Sequence, residues 1–168
     1  MVSYKQNDFT LIECQQTLIY ISEAPSKENL NNFIKQIKNN NIKHIVRLCD
    51  PTYDLNDLND LNYDVKIYDW KFTDGDNPPS DIIDKWKELL KLNVGPILIH
   101  CMAGLGRAPS IAAIGLIELK IKPFDAIKLI RDKRPGSINS KQLSFIMNYK
   151  PTNKKSCIFS KIFSCQYY

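Results

Sequence analysis

Eleven residues, His100-Cys101-Met102-Ala103-Gly104-Leu105-Gly106-Arg107-Ala108-Pro109-Ser110, separate two apolar segments of different character. Before them, Pro96-Ile97-Leu98-Ile99 reads as a strand; after them, the small-residue run from Ile111 to Leu119 reads as a helix. A strand, a tight glycine-bearing loop and a helix point several backbone N–H groups at one spot, at the positive end of the helix dipole. A thiol held there loses its proton readily, because the N–H groups and the dipole stabilise the thiolate. Arg107, six positions after Cys101, adds a planar fork matched to phosphate oxygens. Attack by sulfur on a bound phosphate is the chemistry this pattern suits. A Cys-x5-Arg spacing alone is common; the bland alternative is a buried core thiol with Arg107 on a helix surface.

With 168 residues the chain is long enough for one domain with a full core. Its net charge of +5 is unevenly placed: residues 150–168 hold Lys150, Lys154, Lys155 and Lys161 and no acid. Residues 1–149 carry 19 basic against 18 acidic groups, and such a near-neutral body argues against a nucleic-acid partner. A basic tail with apolar residues suits an anionic membrane surface, or else a solvated end. The five cysteines (Cys14, Cys49, Cys101, Cys157 and Cys165) are odd in number and form no CxxC pair. Neither a zinc site nor a secreted disulfide framework is expected, and no metal or other cofactor is called for. Met1 to Asp8 is polar, against a signal peptide, and no apolar run reaches the roughly 18 residues of a membrane span. The expected location is the reducing cytoplasm.

Along the chain, residues 9–13, 17–21, 45–49 and 65–70 read as strands, and Ser26 and Ser80 as helix N-caps. Leu30, Phe33, Ile34 and Ile37 make one apolar helix face; Ile82, Ile83, Trp86, Leu89 and Leu90 make another. Residues 52–62 read as a turn or short helix without function. Pro123 falls in the first turn of a helix over 123–133, and a last helix covers about 139–149. Strands alternating with helices predict an α/β fold with a central, mostly parallel sheet flanked by helices. The loop then lies at the carboxyl end of a central strand, where such sheets bind ligands. Residues 1–150 are expected to form the domain and 151–168 a basic, cysteine-containing tail.

In this reading Cys101 is the nucleophile that forms a cysteinyl-phosphate. Arg107 and the backbone N–H groups of Met102, Ala103, Gly104, Leu105, Gly106 and Arg107 hold the phosphate oxygens where charge develops. His100 supports the loop rather than acting as a base. The leaving group needs a proton from a neighbouring loop, and Asp74 and Asp76 are the two candidates.

Four stretches go further: 45–49, then 69–75 with Pro78-Pro79-Ser80, then His100 to Pro109, and Asn139-Ser140-Lys141-Gln142-Leu143. Together they resemble the phosphatase of regenerating liver (PRL) family, a branch of the dual-specificity cysteine phosphatases. The resemblance implies a single-domain cysteine-phosphatase fold and hydrolysis of phosphotyrosine, with phosphoserine or phosphothreonine also admitted. It selects Asp74 over Asp76 as the acid. It implies that Cys49, otherwise a buried strand thiol, is a redox partner of Cys101, and that Asn139 and Gln142 position the attacking water. Related phosphatases carry Ser or Thr after the arginine; this chain has Ala108, which implies slow turnover and an accumulating phosphoenzyme.

The chain also departs from the family. Thr73 stands where a second aspartate is usual, and Asp76-Asn77 lengthens the acid loop. Family members end in a prenylated box, whereas here Cys165-Gln166-Tyr167-Tyr168 has the cysteine in place but atypical followers, so Cys165 and Cys157 are both lipidation candidates. A lipidated tail implies a peripheral place on the cytoplasmic face of membranes. Beside a phosphoprotein substrate, the family implies a magnesium-transporter-type protein partner gripped by the phosphate socket. A binding module of that kind and a phosphoinositide phosphatase are the alternative functions; an RNA 5′-triphosphatase is disfavoured by the near-neutral body.

Overall fold

Strand propensity and burial place five strands: β1 (Thr10–Cys14), β2 (Thr17–Glu23), β3 (His44–Arg47), β4 (Lys66–Asp69) and β5 (Ile97–Cys101). They form one sheet in the order β1-β2-β5-β3-β4. The β1–β2 hairpin is antiparallel, and β2–β5, β5–β3 and β3–β4 are parallel. The computed structural model describes residues 9–59, 61 and 64–151, so the tail cysteines Cys157 and Cys165 and the lysines at 154, 155 and 161 lie outside the described residues.

The central strand β5 is buried at every position, as a parallel strand covered on both faces should be. Its side chains alternate. Ile97, Ile99 and Cys101 join a core with α2 (Ser80–Lys91), α3 (Arg107–Glu118), α4 (Pro123–Lys133) and α5 (Ser140–Asn148). Leu98 joins the opposite core, with Phe33 and Ile37 of α1 (Leu30–Asn39) and with Tyr53, Leu58 and Leu61. Helices thus cover both faces, and the chain from β5 to α3 emerges at the carboxyl edge of the sheet.

Several boundaries differ from the sequence expectation, four of them for a clear local reason. α3 begins at Arg107, four residues before the apolar run, because Pro109 falls in the first turn, where no backbone donor is required. α1 starts after Asn29 rather than Ser26; the Asn29 side chain instead accepts from the Ser26 amide at 2.7 Å. Ser80 is the first helical residue of α2 and extended Pro79 takes the cap position. The ladder of β3 also stops at Arg47, so Leu48 and Cys49 leave the sheet, where the Leu48 carbonyl becomes available to another partner.

α3 is buried along most of its length, and at Gly115 it packs against Trp86 and Leu90 of α2. A Cβ there would lie 2.8 Å from the indole nitrogen of Trp86, which is fully buried and cannot swing away. Gly115→Ala gains up to about 1 kcal/mol of helix propensity but overpacks a closed core, a cost of roughly 1–3 kcal/mol. The expected net result is a loss of about 1 kcal/mol, read as a lower urea midpoint at unchanged m; a midpoint equal to or above wild type would contradict this packing.

Candidate active site

The loop between β5 and α3 is shaped by where its carbonyls go. The His100 carbonyl accepts from Leu48 N at 3.0 Å, and those of Cys101 and Met102 accept from Ala24 N at 2.7 and 3.1 Å. Arg134, at the end of α4, donates to the Ala103 and Gly104 carbonyls at 3.4 and 2.6 Å. Leu105 O accepts from Ile138 N at 2.7 Å, and Gly106 O from the Ser110 amide and hydroxyl at 3.1 and 2.9 Å. Every carbonyl from 100 to 106 is therefore drawn away from the loop's interior. A trans peptide sets its N–H opposite its C=O, so the amides of Met102 to Arg107 face the other way. Among the described residues, no backbone carbonyl accepts from the amides of 102–106. Gly104 is required here: its φ is +65°, and a Cβ would fall 2.4 Å from the Arg134 guanidinium and 2.6 Å from the Ser22 carbonyl.

Cys101 ends β5 with a free, buried thiol. Arg107 opens α3, is 5% exposed, and donates through Nη1 to the carbonyls of Leu48 at 2.9 Å and Phe72 at 3.1 Å. Its Nε is buried and makes no aligned hydrogen bond; Asp74 Oδ1 stands 2.9 Å away as an off-axis charge contact. Asp74 is itself largely exposed, while Asp76 is ion-paired with Lys141 on α5. The two candidate acids thus point to different partners, and only Asp74 reaches the Arg107 side.

Asn139 and Gln142 form a reciprocal capping box at the start of α5. Their remaining amide hydrogens hold the acid loop: Asn139 Nδ2 donates to Gly75 O at 2.9 Å and Gln142 Nε2 to Asp76 O at 3.1 Å. Gln142 also lies against Gly106, 3.3 Å from where a Cβ would stand.

Cys49 is buried just past β3. Burial first, then the neighbouring Cys101, push its thiol up to about 11, with Arg107 pulling the other way. His100 is fully buried, shares a hydrogen bond with the Tyr53 hydroxyl at 2.9 Å and meets Phe33 edge-on. Burial, aided by Arg47 and opposed by Asp69, holds its imidazole down to about 3.

Some supports went unread in the sequence. Tyr53, in a stretch read as a turn without function, fixes His100. Arg131, read only as part of the helix over 123–133, and Arg134, read only with Pro135-Gly136 as its stop, brace the loop: Arg131 donates to the Ser137 and Ile138 carbonyls at 3.1 and 2.8 Å. Two arginines three apart before Pro-Gly mark a helix end, but that pattern does not say which loop they brace. Asp69, pulled below the usual carboxylate range mainly by its hydrogen bond from Arg47, forms a two-point pair with that arginine.

A His neutral when folded but ordinary when unfolded binds its proton in the unfolded state first. Stability from His100 is therefore complete above about pH 6.5 and falls by roughly 1 kcal/mol per pH unit as pH drops toward 4. Urea unfolding at pH 7, 5.5 and 4.5 should show this slope in wild type and a shallower one in His100→Asn; parallel slopes would contradict a buried neutral imidazole.

The protein-tyrosine phosphatase family model matches residues 58–150. A PRL-1 phosphatase of Drosophila melanogaster is 41% identical over 159 residues, covering 89% of each chain. A protein tyrosine phosphatase type IVA 2 of Mus musculus is 40% identical over 136 residues, 78% of this chain and 80% of its own. Among solved structures, a protein tyrosine phosphatase from Leishmania major superposes with a TM-score of 0.74 at 36% identity, covering 85% of this chain and 99% of that one.

Proposed function

This chain belongs to the protein tyrosine phosphatases, in the type IVA or phosphatase-of-regenerating-liver branch, and from that premise we propose how its own residues perform the reaction. Cys101 sulfur attacks phosphorus, the S–P bond forms and the P–O bond to the tyrosine breaks. Inward-facing amides from Met102 to Arg107 and the Arg107 Nε–H, which makes no aligned hydrogen bond within the protein, take the equatorial oxygens as charge builds on them. The outward capture of all seven carbonyls from 100 to 106 is the observation that carries this reading. Asp74 gives its proton to the departing phenolate, then takes one from the water that cleaves the S–P bond. Its contact with Arg107 supports that assignment over Asp76, which is held by Lys141.

Hydrolysis is the slow step. Ala108 supplies no hydroxyl to the leaving sulfur, and Ser110 gives its own to the Gly106 carbonyl. Gln142, whose amide holds the Asp76 carbonyl, orients the water once that bond lets go, with Asn139 keeping the acid loop in place. Cys49 is the redox partner: peroxide oxidises the Cys101 thiolate to a sulfenic acid, and Cys49 sulfur displaces water to form the disulfide. In support stands the nearness of the two free thiols, close enough for Cys101 to help push the Cys49 thiol up. No helix among the described residues is long and apolar enough to cross a membrane. Contact with an anionic membrane surface is assigned to the lysine-bearing tail on its composition.

Asp74→Asn should lower kcat/KM for a phosphotyrosine peptide by about 100-fold or more, yet barely alter an aryl phosphate whose leaving group needs no proton. Asp76→Asn should change both by a few-fold at most; the reverse pattern would transfer the acid role to Asp76. Ala108→Ser should raise the steady-state rate by about tenfold or more. An unchanged rate would contradict hydrolysis as the slow step.

A further inference from the structure

The acid loop continues into an open groove that the reaction does not use. About 590 Å³ in volume, it is lined by residues that include Asn77, Lys141, Phe145, Tyr149 and Lys150, and no carboxylate lines it. Its near end adjoins the catalytic loop: Asn77 belongs to the acid loop, Lys141 pairs with Asp76, and the next residue, Gln142, rests on Gly106. Its floor is aromatic, with the Phe145 and Tyr149 rings 6.2 Å apart. The Tyr149 hydroxyl donates to Glu118 at 2.5 Å, which fixes that ring.

Two further features point to an occupant. The Asn77 Oδ1 is buried and accepts no hydrogen bond, a costly state for an acceptor unless a donor arrives. Lys141 is already paired with Asp76, but no ion pair among the described residues takes up the exposed ammonium of Lys150. A peptide in extended form offers apolar contact for the rings and a side-chain carboxylate for Lys150, and a shift of the acid loop on binding would bring the Asn77 Oδ1 within reach of its backbone N–H groups.

We propose that this groove receives the chain flanking the phosphotyrosine of a protein substrate and selects flanks that carry Asp or Glu. The proposal rests on the phosphatase reading above. It gives the Asp76-Asn77 part of the acid loop a purpose, since Asp76 occupies Lys141 and Asn77 lines the groove. It separates two tasks: the loop around Cys101 holds any phosphate, and the groove ranks the proteins that carry one. The preference weakens with salt, because the contact at Lys150 is exposed and screened.

The test compares three substrates on the full chain: an aryl phosphate, a phosphotyrosine peptide with Asp and Glu on both sides, and its twin with Asn and Gln. Because kcat/KM reports steps up to phosphoryl transfer, slow phosphoenzyme hydrolysis does not mask the comparison. Wild type should prefer the acidic peptide by at least fivefold. Lys150→Glu and 0.5 M salt should each bring the preference below twofold, Lys150→Arg should keep it, and aryl phosphate kcat/KM should be equal for all three proteins. Equal kcat/KM for the two peptides in wild type would overturn the groove assignment and leave the phosphatase reading intact. A preference that survives Lys150→Glu would also overturn it, by placing selection elsewhere. Absence of Cys101-dependent turnover of all three substrates would overturn both.

Discussion

Arg107 joins three segments that the sequence keeps far apart. Its guanidinium donates to the Leu48 carbonyl beyond β3 and to the Phe72 carbonyl beyond β4, while its backbone closes the loop that begins at Cys101. These bonds run from a buried cation to carbonyls that would otherwise end two strands unpaired, so losing either side leaves a costly orphan. They also fix the edge from which Nε faces Asp74. The acid loop, the signature loop and the Cys49 segment therefore share one anchor.

Around that anchor the loop is held from outside. Ala24, Leu48, Arg134, Ile138 and Ser110 each draw a carbonyl outward, and these donors come from or follow β2, β3, α4 and α3. The amides gathered inside would repel one another in an isolated peptide; here the fold has already met the cost of aligning them. Preorganised donors of this kind need no rearrangement as negative charge develops, which is why they lower a barrier more than mobile water does. His100 contributes from beneath. Buried between Tyr53 and Phe33, it holds the end of β5 as a neutral ring.

Local signals and distant ones differ in how far they could be read from the chain. Cys101, the glycines and Arg107 lie within seven residues, and the chemistry of that segment follows from its spacing. The continuous apolar run of β5 and the apolar faces of α1 and α2 were equally visible, because run length and periodicity record them. Boundaries failed where chemistry extends past the pattern: the apolar run begins at Ile111, yet the helix starts at Arg107 with Pro109 in its first turn. Arg134 and Tyr53 escaped because their partners lie 30 and 47 residues away, and nothing local marks an arginine at a helix end as a brace for another loop. Asp74 and Asp76 stand two residues apart in one turn. Only the three-dimensional course of the loop separates them, sending one to Arg107 and the other to α5.

A covalent phosphoenzyme on Cys101 is the central claim. The most direct measurement is rapid-quench release of phenol from an aryl phosphate under reducing conditions, with intact-mass analysis of the quenched protein and Cys101→Ser as control. The account predicts a burst near one equivalent per protein, a mass increase of one phosphoryl group on Cys101, and neither in the mutant. Phenol release without a burst or an adduct, or at the same rate in Cys101→Ser, would contradict it.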